Sequence, residues 1–77
     1  MALDEDKIDN AALALLRLTL HDERRVWKGM DWDVLGRLHE KGLISNPVGK
    51  ARSVYLTDDG LEKSEQIMEK LFSSNED

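Results

Sequence analysis

The stretch from Leu38 to Leu61, LHEKGLISNPVGKARSVYLTDDGL, constrains the fold more tightly than any other part of the chain. Gly42 stands where a helix ending in Leu38-His39-Glu40-Lys41 needs a left-handed residue, and Leu43 is placed to close back on Leu38 as a Schellman cap does. Leu43 and Ile44 start a strand, Asn46-Pro47 breaks it, and Gly49 permits a turn. Ser53 to Leu56 alternates as a returning strand with Val54 and Leu56 on one side. Thr57 then caps a further helix, and Asp58 and Asp59 suit its dipole. A helix end, a β-hairpin and a capped helix start in so short a span leave few topologies open.

The segments on either side are helical. The first helix begins near Asp4 or Asp6 and runs through AALALLRLTL, where Ala and Leu favour helix over strand. At 100° steps Ile8, Ala11, Ala12, Leu15 and Leu18 share one side, while Leu13, Leu16 and Leu20 spill onto a second. Only the sector of Asn10 and Arg17 is polar, so this helix is either sandwiched within the domain or shared with another chain. DERRVWKGM has no helical period and suits a short strand carrying Val26 and Trp27. Asp31 caps the second helix, with Met30 placed to meet Leu35 as a hydrophobic staple. Its buried side is Trp32, Val34, Leu35 and Leu38, and its outward face carries Asp33, Gly36, Arg37, Glu40 and Lys41. The last helix has an inner stripe of Leu61, Ser64, Met68, Leu71 and Phe72, flanked by Ile67. The expected core is Leu15, Leu16, Trp32, Leu35, Leu38, Ile44, Val54, Leu56, Leu61 and Met68.

With 77 residues the chain is read as one domain over 1–77, its ends at 1–3 and 73–77 fraying. A domain of this size buries only about 60% of the surface its unfolded chain exposes, which leaves little for a deep cleft. There is no cysteine, hence no disulfide framework and no thiolate zinc site. The acidic N-terminus is unlike a secretory signal, and the longest apolar run, Ala11 to Leu16, is far too short to cross a bilayer. The expected location is cytoplasmic, without a membrane partner. A net charge of -5 opposes nucleic acid, yet it is unevenly spread: residues 1–23 carry -4, residues 24–52 carry +4 and residues 53–77 carry -5.

Three pieces together resemble the winged-helix superfamily, and most closely its MarR-like pattern: Leu38-His39-Glu40-Lys41-Gly42-Leu43-Ile44, the loop Asn46 to Arg52, and Leu56-Thr57-Asp58-Asp59-Gly60. The resemblance covers roughly the second half of the chain and implies an α+β domain in the order helix, short strand, helix, β-hairpin, helix. It implies also that the helix over Asp31 to Lys41 lies in a major groove while the hairpin touches the adjacent backbone. The sequence departs from the full pattern between the first two helices, where Asp22 to Met30 is too short for a further helix, so the helix-turn-helix is truncated or replaced by a strand. The whole chain is similar to members of a small uncharacterised bacterial family sharing a D-E-D-K-I-D start, a W-K-G-x-D-W centre and an L-H-E-K-G turn, which implies no activity.

From this follows the expectation of a small bacterial transcription regulator or accessory protein that binds duplex DNA as a homodimer. Arg37 and Lys41 are expected at the groove and Lys50 and Arg52 on phosphates. Against that stands an ordinary helix pairing of Asp33 with Arg37, and an ordinary C-terminal charge at Lys41. Leu13, Leu16 and Leu20, joined by Ile67 and Leu71, form the expected dimer surface. Arg24, Arg25 and Lys28 beside Trp27 and Trp32 suggest a basic aromatic patch able to stack bases, weighed against the usual fate of two tryptophans in so small a protein, which is burial. His21 and His39 lack metal-ligand spacing, and Asp4, Asp6 and Asp9 read as a solvated helix start rather than a calcium loop. No nucleophile elbow or phosphate loop is present, so no enzyme activity, cofactor, metal or small-molecule substrate is expected. The alternative to DNA binding is a protein-interaction or dimerisation module.

Overall fold

A computed structural model describes residues 2–74. Its elements are α1 (Glu5–Leu16) with a trailing 3₁₀ turn (Arg17–Thr19), β1 (Arg25–Trp27), α2 (Trp32–Glu40), β2 (Ser53–Tyr55) and α3 (Asp58–Phe72). This is the α+β, winged-like order expected, with a strand in the place of the missing helix. The expected fray at residues 1 and 75–77 lies outside the described residues.

Each helix starts on a side-chain cap that satisfies otherwise orphaned amides. The Lys7 amide donates to Asp4 (3.1 Å), Asp33 and Val34 donate to Asp31 (3.1 and 3.3 Å), and Gly60 donates to the Thr57 hydroxyl (3.0 Å). At the end of α2 the Leu43 amide donates to the Leu38 carbonyl (3.0 Å) and Gly42 takes a φ of 75°, the Schellman closure its sequence calls for.

The sheet pairs strands distant in sequence. β1 and β2 run antiparallel with Arg25 opposite Tyr55, Val26 opposite Val54 and Trp27 opposite Ser53. The local hairpin expected between Leu43-Ile44 and Ser53 to Leu56 is reduced to a single bridge, Ile44 with Leu56, extended by the Ser45 amide donating to Tyr55 (2.9 Å). Asn46-Pro47 then turns the chain away, since proline offers no amide to a ladder. The intervening loop, residues 46–52, forms the wing.

Ala12, Leu13, Leu16, Val26, Val34, Leu35, Leu38, Leu43, Ile44, Val54 and Leu56 make the core, with Leu20, Met30, Leu61 and Ile67 partly buried against it. Three expectations are corrected here: the surface for a second chain, and the core positions of Leu15 and Trp32. Leu13, read as a surface for a second chain, lies inside the domain, as does Leu16, which was expected both in the core and at that surface, whereas Leu15, read as core, is 42% exposed. Of the five residues expected at a dimer surface only Leu71 remains half exposed; Leu20 and Ile67 pack on the core. Trp32, also expected inside, is 57% exposed. The cause of the turned α1 is a charged residue: Asp9 lies on the same face as Ala12, Leu13 and Leu16 and is fully buried against α2.

Candidate nucleic-acid interface

Of the eleven lysines and arginines, Lys7, Lys63 and Lys70 lie on α1 and α3 without an ion pair among the described residues, and the other eight sort into two populations. Arg17, Arg24, Arg37 and Lys41 are paired with carboxylates. Arg25, Lys28, Lys50 and Arg52, all around the sheet and wing, form no ion pair among the described residues.

Arg37 and Lys41, expected at a DNA groove, belong to the first group. Both point back from α2 at α1 rather than outward. Arg37 grips Asp9 with Nε and Nη2, each at 2.8 Å, in the bidentate geometry that makes arginine a strong carboxylate partner, and its Nη1 reaches Glu5 (3.3 Å). Lys41 Nζ donates to Asp9 (2.9 Å) and Asp6 (3.1 Å). The hydrogen bonds from Arg37 outweigh the cost of burial and hold the Asp9 carboxyl below its ordinary range, with Lys41 assisting. The same hydrogen bonds, donated to Asp9, raise Arg37 and Lys41. Asp9 was read as part of a solvated acidic start; its position one turn before Ala12 and Leu13 and two before Leu16, on their face, is the signal that identifies it as a buried partner. With Arg37 and Lys41 engaged, α2 offers the phosphate backbone little besides Asp31, Asp33 and Glu40, which repel it.

The second population surrounds an aromatic surface. Because β-strand side chains alternate, Val26 and Val54 enter the core and Arg25, Trp27 and Tyr55 face outward together. Trp27 is 50% exposed and Tyr55 45% exposed, so Trp27, weighed between an aromatic patch and the usual burial of tryptophan, lies on the open face. His21 stacks on one face of Trp27 (centroids 4.9 Å apart, planes inclined by 28°), which fixes the indole and leaves its surroundings open to solvent. Arg25 lies over the Tyr55 ring at 4.9 Å and donates to its hydroxyl (3.0 Å). Lys28 Nζ donates to the carbonyls of Pro47 (2.7 Å) and Gly49 (3.0 Å), pinning the wing against the sheet. The Lys28 amide donates to the Arg52 carbonyl (3.0 Å), which ties the far end of the wing to the end of β1. Between them a shallow cleft of about 420 Å³ is lined by Trp27, Lys28, Gly29, Gly49, Lys50, Ala51 and Arg52. Lys50 and Arg52, expected on phosphates, therefore sit beside an aromatic ring. Trp32 and Arg24 do not join this cleft, and Arg24 is engaged by Asp58 (3.0 Å).

The remaining candidates are structural. His39 Nδ1 lies 3.1 Å from the Ile44 carbonyl and His21 Nδ1 2.8 Å from that of Thr19. Among the described residues no cluster of His, Asp or Glu is arranged to hold a metal ion, and no helix is long and apolar enough to cross a membrane.

Comparison with known proteins adds a family and a relative. The model of a domain of unknown function, DUF6429, matches residues 4–74. An uncharacterised protein, y4hR, of Sinorhizobium fredii (strain NBRC 101917 / NGR234) is 59% identical over 73 residues, covering 95% of this chain and 99% of its own length. No solved structure matches the chain.

Proposed function

We propose that this chain, which belongs to the DUF6429 family, is a small bacterial nucleic-acid-binding accessory protein that holds the phosphate backbone with its wing and outward sheet face, and does not read bases with α2. The observation that carries this reading is the concentration of Arg25, Lys28, Lys50 and Arg52, none of them paired with a carboxylate, around the exposed rings of Trp27 and Tyr55. Cations whose charge no carboxylate neutralises release phosphate counterions on binding, and an exposed indole held by a neighbouring ring stacks an unpaired base or a sugar at little entropic cost. The acidic residues of α1 and α3 confine the contact to this one face, and the lack of free cations on α2 makes binding sequence-tolerant.

The test is titration of purified protein against labelled duplex and single-stranded oligonucleotides at low and physiological salt. Joint replacement of Lys50 and Arg52 by Ala is expected to weaken binding and to reduce the slope of log K against log salt by about two. Trp27→Ala should weaken single-strand binding most. Unchanged affinity in the double variant sinks the assignment. Absence of binding even at low salt favours the interaction-module reading, which the engagement of Arg37 and Lys41 within the domain also supports.

A further inference from the structure

The rotation of α1 that buries Leu13 and Leu16 leaves an apolar ridge in water, independent of the sheet face. Ile8, Ala11 and Leu15 on α1, and Leu18 in the 3₁₀ turn that follows it, recur at helical spacing, and Leu15 is 42% and Leu18 72% exposed. Grooves flank this ridge. One, toward α2, is lined by Leu3, Ile8 and Val34 together with the charged Glu5, Asp31, Asp33 and Arg37, and the other, toward α3, by Lys7, Asn10, Ile67, Lys70 and Leu71.

We infer that this face of α1 is the interface of a homodimer, with the ridge of each protomer seated in the α1–α3 groove of the other about a two-fold axis. A ridge beside a groove is complementary to its own copy, which is what an isologous contact requires, and the small Ala11 near its middle lets two helices approach closely. The area agrees. Reckoning a whole leucine at about 130 Å², the exposed parts of Leu3, Ile8, Leu15, Leu18 and Leu71 leave roughly 350 Å² of apolar side chain in water. A standard interface covers about 800 Å² per partner, somewhat over half of it apolar. The aliphatic stems of Lys7 and Lys70, which line the same groove, and Ala11 supply the balance. For a chain whose total surface is 5585 Å² this is about one seventh, a burial that a domain with so small a core gains most from.

The experiment is sedimentation equilibrium on the full chain without nucleic acid, wild type against the joint variant Leu15→Glu, Leu18→Glu. The wild type is expected to be a dimer at about 50 µM, since interfaces of this size bind at micromolar or better. The joint variant is expected to be a monomer with unchanged far-ultraviolet circular dichroism. Should it fail to fold, Leu18→Lys alone, at the most exposed position, is expected to weaken dimerisation at least tenfold. A wild type that stays monomeric at about 50 µM, or a folded variant that remains dimeric, overturns the proposal.

Discussion

Asp9 sets the orientation of the first helix, and its removal is the sharpest single-residue test of the fold. Replacing one partner of a buried ion pair strands the others; because Arg37 and Lys41 each keep about a third of their side chains in water, the cost falls toward the lower end of the usual range. Asp9→Asn is expected to lose about 2–4 kcal/mol at neutral pH, measured as a shift of the urea midpoint. The pH dependence has a definite sign. The folded carboxyl titrates below its ordinary 3.8, so its contribution is complete above the ordinary carboxylate range and is lost as the pH falls through the lowered value. Melting curves between neutral and strongly acid pH should therefore show a smaller fall in stability for Asp9→Asn than for the wild type. Lys41 acts in the opposite direction. Raised above 10.5 chiefly by its hydrogen bond to Asp9, it stabilises the fold below that value and ceases to do so as the pH climbs through the raised one.

At the scale of elements, the K-G-L turn after α2 and the T-x-x-G start of α3 are one interlocked unit. The Thr57 hydroxyl donates to the Gly42 carbonyl (2.7 Å), the Thr57 amide donates to Leu43 (3.0 Å), and the Gly60 amide returns to the Thr57 hydroxyl (3.0 Å). Gly60 has no room for a side chain, because a Cβ there would run into the Leu43 carbonyl. Gly60→Ala is accordingly expected to destabilise by about 2–4 kcal/mol, since a backbone neighbour cannot swing aside as a side chain does. Gly36, in the interior of α2, offers the contrast. Nothing lies within 4 Å of a Cβ at that position, so Gly36→Ala should raise stability by about 0.5–1 kcal/mol through helix propensity. Chemical denaturation of the two variants side by side separates close approach from conformational freedom.

For the whole molecule, thickness governs what is inside. The Cα extents are 43 × 37 × 19 Å, and 19 Å accommodates two layers but no third one over the outer face of the sheet. Trp27 and Tyr55 are left outside for that reason, and the platform exists because there is nothing to cover it. The same geometry divides the leucines of α1 and its trailing 3₁₀ turn into one set that holds the fold and one that does not. Leu13→Ala is expected to cost about 2–4 kcal/mol, as a fully buried leucine does, while Leu18→Ala stays within about 0.5 kcal/mol in a dilute, monomeric sample. Equal effects at the two positions would contradict the rotation of α1 described above.

Local chemistry made much of this legible from residues alone. Asp31 and Thr57 as caps, Gly42 with Leu43 closing on Leu38, and the alternation of Val54 and Leu56 each depend on neighbours within a few positions, so the sequence by itself determined the bounds of α2, the start of α3, the turn and the returning strand, whereas α1, expected to run on to Leu20, stops at Leu16 and tightens into a 3₁₀ turn. The partner of that strand was decided by tertiary structure. Ser53 to Tyr55 lies chiefly beside Arg25 to Trp27 and only grazes Ile44, because Pro47 turns the nearer segment away. Which face of α1 turns inward was likewise beyond a helical wheel, since Ala and Leu occupy most of its circumference and either set satisfies burial. An ion pair between Asp9 and residues 28 and 32 positions away settled it. Charges that look free along the chain were neutralised by that long-range pairing, and tryptophans that look like core were stranded outside by a fold two layers thick.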